Sequence, residues 1–190
     1  MKKFFFLITI FLSINCVAQR LTAYGVSLGD SKYKVESTLS HKGKTVRSGI
    51  IEDDGREYLE ISSVVIGGVE FDEAFFRFNQ DDKLELIRFN CEADGGTGSP
   101  GMPWEARFLN RARRYNQIFQ KMYQNLVMKY GNPSSSIAGA VKCEAVWQMG
   151  DQLIELEYTY QYERASYGAV DFFTGLSLGY KTMDMNSNDF

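Results

Sequence analysis

Between Pro103 and Tyr130 a single spacing leaves the chain little choice. Phe108, Ala112, Tyr115, Phe119, Met122, Leu126 and Tyr130 recur at steps of four and three, which places one continuous apolar stripe along a long helix. Such a stripe has to be laid on another element. Pro103 suits the first turn, where its missing N–H costs nothing, Glu105 favours the positive end of the helix dipole, and Gly131-Asn132-Pro133 stops the helix.

The last third of the chain supplies a partner for that stripe. Val141, Cys143, Ala145, Trp147 and Met149 share one parity before a turn at Met149-Gly150-Asp151. Ile154, Leu156, Tyr158, Tyr160 and Tyr162 then alternate with Glu155, Glu157, Thr159 and Gln161, the pattern of a strand with one apolar and one polar face. A last strand carries Val170, Phe172, Leu176, Leu178 and Tyr180, and 183–190 reads as a polar tail.

The first half has the same order of elements. Asp30 or Ser31 is placed to cap a helix carrying Val35 and Leu39 on one face, and Gly43 is placed to close it. Turn residues at Asp53-Asp54-Gly55, Gly67-Gly68 and Asn79-Gln80-Asp81-Asp82 then divide Thr45–Cys91 into four strands. Phe71 and Phe75 fall on one alternation and Phe76 and Phe78 on the other, so these strands are either covered on both sides or sticky on one. Glycines at 95, 96, 98 and 101 with Pro100 read as a linker over 95–102. The expectation is an α+β fold of two similar helix-plus-antiparallel-sheet units, 19–94 and 103–182, with the helices packed on one sheet face.

The first 18 residues read as a secretory signal. Lys2 and Lys3 precede an apolar run from Phe4 to Leu12, and the small residues of Cys16-Val17-Ala18 place cleavage after Ala18. The apolar run breaks at Ser13 and Asn15, too short for a membrane span. Lipid attachment at Cys16 is disfavoured by Asn15 just before it. The expected location is therefore periplasmic or extracellular. Losing two lysines takes the formal charge from −3 to −5, which does not suit a nucleic-acid binder. Cys91 and Cys143 remain. They form either a disulfide, worth on the order of 4 kcal/mol, or two separate buried thiols.

The inventory for catalysis is sparse. His41 is the single histidine and stands near the end of the first helix, where a positive charge is favourable. Neither the histidine nor two distant cysteines give a zinc spacing, and the glycines after Glu92 lack the lysine and hydroxyl residue of a phosphate loop. No metal and no cofactor is expected. Glu52-Asp53-Asp54 and Asp81-Asp82 are read as turn residues. Two groups remain as candidates for binding. Trp104 with Arg107, Arg111, Arg113 and Arg114 forms a positive cluster on the long helix. Tyr158, Tyr160 and Tyr162 with Trp147 form an aromatic row, either a recognition surface or core beneath the helix.

The stretch G-V-S-L-G-D-S-K-Y-K-V-E-S-T-L from Gly25, together with a repeated helix-then-meander order, resembles the bacterial beta-lactamase-inhibitor-protein-like domains and the related small outer-membrane assembly lipoproteins. The resemblance implies binding of other proteins through a sheet face and loops, without catalysis. The chain departs from that group in its poor lipidation signal, in allowing at most one disulfide, and in its long middle helix. The expected function is a non-catalytic, exported protein-binding or inhibitory module. The alternatives are an envelope hydrolase using Asp54 or Asp82 with a second carboxylate, or a carrier with an apolar cavity between helix and sheet.

Overall fold

A computed structural model describes residues 20–53, 55–164 and 168–183. The signal segment, Asp54 and the end of the polar tail lie outside the described residues. A small hairpin, β1 (Thr22–Ala23) and β2 (Val26–Ser27), leads into helix α1 (Lys32–His41). Next come four strands: β3 (Arg47–Ile50), β4 (Glu57–Ile66), β5 (Val69–Phe78) and β6 (Leu84–Gly98). Helix α2 (Pro103–Tyr130) opens the second half, which ends in β7 (Ser135–Ala138), β8 (Lys142–Met149), β9 (Gln152–Arg164) and β10 (Val170–Thr182).

The eight strands from β3 to β10 form one antiparallel sheet in the order β3-β4-β5-β6-β10-β9-β8-β7. Each meander runs outside to inside, and the two join through their last strands. The α+β class is as expected. The expected linker is not a break, because Gly95, Gly96, Thr97 and Gly98 continue β6 and pair with Phe173, Phe172, Asp171 and Val170. These glycines make room for aromatic rings. A Cβ on Gly98 would sit 2.5 Å from the Trp104 indole, which stacks on Phe172 with ring centroids 4.3 Å apart. Only the Ser99–Met102 stretch is left to turn the chain into α2.

Helix α2 buries the stripe from Phe108 to Leu126 as its spacing requires, and Tyr130 is half-buried. Each large side chain so buried contributes roughly 1.5–3 kcal/mol. Gly131 stops the helix at φ +82°, and its carbonyl accepts from Trp147 Nε1 at 2.9 Å. Helix α1 starts at the Ser31 cap, while the neighbouring Asp30 accepts from the Ser27 N–H and pairs with Lys34 at 2.8 Å. Val35 and Leu39 join the same core cluster as Phe119, Trp147 and Phe76, which places both helices on one face of the sheet.

The mixed parity of the phenylalanines has a local cause. Ser62-Ser63 and Asp72-Glu73 face each other across β4 and β5, with Ser63 at φ +51°, and the ladder skips the middle pair. Both strands change phase there. Phe71, Phe76 and Phe78 thus all reach the helix-covered core, and Phe75 is left on the other face, stacked on Tyr58 at 4.8 Å.

Candidate functional site

The face of the sheet opposite the helices has no described element over it. Its side chains come from the polar parity of each strand: Arg47 and Glu60 from β3 and β4, Glu73 from β5, Asn90 from β6, Ser177 from β10 and Glu157 from β9. These residues line one cleft of about 580 Å³, together with Thr159, Phe173 and Gly175. Arg47 and Thr159 stand five strands apart, roughly 24 Å on a flat sheet. A single cleft touched by both is a groove that runs across the strands.

Ion pairs and hydrogen bonds hold these groups in place. Arg47 pairs with Glu60 at 2.5 Å, and the Asn90 amide donates to Glu73 at 2.9 Å. Farther along, Glu85 bridges Arg56 at 2.6 Å and Arg77 at 2.8 Å. On the β8–β9 side, one oxygen each from Glu144, Glu155 and Glu157 can be chosen so that all three lie within 4.8 Å of one another. Two lysines pair with this group. Lys142 Nζ lies 2.6 Å from Glu144 and 3.1 Å from Glu157, and Lys181 Nζ lies 3.1 Å from Glu155. The Glu144 hydrogen bond, aided by Glu157, holds the Lys142 ammonium above its ordinary range.

The residues singled out from the sequence are distributed differently. Tyr158 and Trp147 are buried under α2, where the Tyr158 hydroxyl donates to the Ala112 carbonyl at 3.2 Å. Tyr160 and Tyr162 stack against Phe108, and the Tyr162 hydroxyl donates to Glu105. Tyr158 and Trp147 therefore belong to the core, whereas Tyr160 and Tyr162 are half-buried, and Tyr158 and Tyr160 line a pocket of about 400 Å³ with Leu109, Ala112 and Cys143. The row faces the helix because its parity begins with Ile154 and Leu156, both fully buried. Trp104 packs on Gly98 and Phe172. Arg107, Arg113 and Arg114 are exposed on α2, and Arg111 reaches Asp94 at 3.5 Å, a surface pair worth little. None of these arginines lines the cleft.

Cys91 and Cys143 are both free. Along the register, Cys143 opposes Tyr158, Tyr158 opposes Leu176, and Leu176 opposes Cys91. Three strand steps are roughly 14 Å, twice what a disulfide spans. The bridge is excluded within one chain. Burial, helped by the Asp72 carboxylate, pushes the Cys91 thiol up to about 12. His41 is exposed, with Nδ1 against the Ser37 carbonyl of its own helix at 2.7 Å. Asp81 and Asp82 occupy the β5–β6 turn, where the Asn79 side chain accepts from the Asp81 N–H. Glu52 and Asp53 are exposed at another turn.

The cleft residues were missed because each is polar and ordinary on its own strand. Their one sequence signal is on β10, where Gly175 and Ser177 alternate with apolar residues without a bulky side chain. Among the described residues no helix is long and apolar enough to cross a membrane. No known sequence family, no curated protein and no solved structure matches this chain.

Proposed function

We propose that the protein is an exported, non-catalytic module that grips a partner protein in the hollow of its sheet. The observation that carries this reading is the cleft: six strands contribute to one uncovered cleft of about 580 Å³. Its side chains are pinned by ion pairs and amide contacts, so little conformational entropy is lost when a partner docks. Two units of like element order, joined at β6 and β10, make the hollow. This arrangement fits a duplicated helix-plus-meander ancestor, and the resemblance around Gly25 implies the same use of a sheet face.

The other readings have less support. A glycoside hydrolase needs two carboxyl groups about 5 to 9.5 Å apart with freedom to exchange protons. Glu144, Glu155 and Glu157 converge on the open face but are held by lysines. A carrier needs an apolar cavity between helix and sheet; Phe119, Met122, Trp147 and Tyr158 pack together there, and the pocket of about 400 Å³ at the edge of that interface includes the polar Arg113 and Asn116 in its lining.

A photo-crosslinking amino acid placed at Phe173, beside the cleft, tests the reading in cells of the protein's own source. Position 173 should yield a discrete covalent adduct with another protein. Met128, exposed on the helix side, should not. Equal labelling from both positions, or none from 173, would overturn the reading.

A further inference from the structure

Building on that reading of the hollow as a binding face, we infer that its occupant is a basic segment of the partner, an extended stretch presenting Lys or Arg side chains. Two independent features lead to this chemistry. The first is charge. Five carboxylates, Glu60, Asp72, Glu73, Glu92 and Glu157, line the cleft; Arg47 pairs with Glu60 and Lys142 with Glu157, so Asp72, Glu73 and Glu92 carry the excess of negative charge. They do not converge on a point. Glu73 on β5 and Glu157 on β9 stand three strands apart, roughly 14 Å, on either side of the β6–β10 floor. That spacing exceeds any metal's coordination sphere and suits several cationic groups carried on one chain. Phe173, 40% exposed and four residues along β10 from the Ser177 that stands between those strands, offers its ring to an aliphatic stem or to a cation.

The second feature is the floor. On β10, a central strand, Gly175 and Ser177 line the cleft. Gly175 sits at the bulge where the pairing with β6 shifts register, and a Cβ there would meet only the Phe173 ring, at 3.4 Å. A glycine inside a strand often marks a bulge or a site where another backbone comes close, and Gly175 and Ser177 leave the floor of the cleft without a bulky side chain. A segment lying along β10 would bring its own backbone down onto this floor and extend its basic side chains toward the carboxylates on both sides. Such a contact gains specificity and association rate from the field of the hollow.

Fluorescein-labelled hexalysine, with hexaglutamate as the control, provides the probe at low ionic strength, read by anisotropy. The wild-type protein should bind hexalysine and not hexaglutamate. The variant Glu60→Gln/Glu73→Gln/Glu157→Gln should lose about ten-fold or more in affinity, while Glu36→Gln/Glu52→Gln/Asp53→Asn, with the same charge change at exposed sites elsewhere, should lose no more than about two-fold. Ser177→Tyr fills the floor without altering charge and should weaken binding as well. It keeps the inference testable should the triple variant misfold. Equal losses in the two triple variants, or unchanged binding in Ser177→Tyr, would overturn the basic-segment inference. Its failure differs from failure of the binding face. A crosslink at Phe173 to an acidic or uncharged segment sinks only the inference, whereas no crosslink there sinks the face itself.

Discussion

The Tyr158 hydroxyl donates to the Ala112 carbonyl across 3.2 Å, tying the middle of β9 to the third turn of α2 where both are buried. That carbonyl also belongs to the helix ladder, so deleting the phenol leaves it partnered. Tyr158→Phe should therefore cost only about 1 kcal/mol, the net value of one hydrogen bond. Tyr158→Ala, which opens a cavity beneath the helix, should cost about 3–5 kcal/mol. Urea unfolding of the two variants checks both values. Equal losses would mean that the ring is not packed under the helix.

The cysteines make a second prediction. They lie three strand steps apart in the register, so the intact mass should not change on reduction. Iodoacetamide should label the partly exposed Cys143 in the native protein, and Cys91 only after unfolding. Mass spectrometry of the labelled peptides reads this directly. Rapid labelling of native Cys91 would contradict its burial.

Stability at alkaline pH depends on the same burial. Burial pushes the Cys91 thiol up to about 12 and the Tyr115 phenol likewise up to about 12. In the unfolded chain these groups lose their protons near their ordinary values, about 8.5 and about 10. Between those values and about 12 the native state holds more protons than the unfolded state, so stability falls as pH rises. Below about pH 8 the two groups add no slope. Unfolding free energies measured from pH 8 to 11 should decline, and Cys91→Ala with Tyr115→Phe should flatten the curve. A decline unchanged in the double variant would place its cause elsewhere.

The long helix and the strand from Ile154 to Tyr162 were legible in the sequence because each has a strict period and one apolar side. The pairing of the two meanders was not, since nothing local in β6 or β10 says which strand lies beside it. Glycine misled at 95–98, where it serves rings from other elements and does not break the chain. The phenylalanines of β5 could not be assigned to one face without the irregularity at Ser63, which only the opposed pair Ser62-Ser63 and Asp72-Glu73 reveals. The cleft was hidden for a related reason. It is assembled from six strands, and its residues are neighbours only once those strands are paired.

The packing at Gly98 can be tested through its tryptophan. A Cβ there would lie 2.5 Å from the Trp104 ring, so Gly98→Ala has to displace the indole from its stack on Phe172. Overpacking of this kind costs about 1–3 kcal/mol. If the clash with Trp104 is its source, Gly98→Ala should cost much less in a Trp104→Ala background, and the double-mutant cycle should give a coupling of about 1 kcal/mol or more. Fluorescence separates the site from the core, because the chain has two tryptophans and the second, Trp147, is buried against Tyr123 at the far end of α2. Gly98→Ala measured in a Trp147→Phe background should shift the emission toward that of exposed indole. Gly98→Ala measured in a Trp104→Phe background should leave the Trp147 spectrum where it was. Additive costs in the cycle would mean that Gly98 is needed for its backbone, and that the strand does not end against the indole.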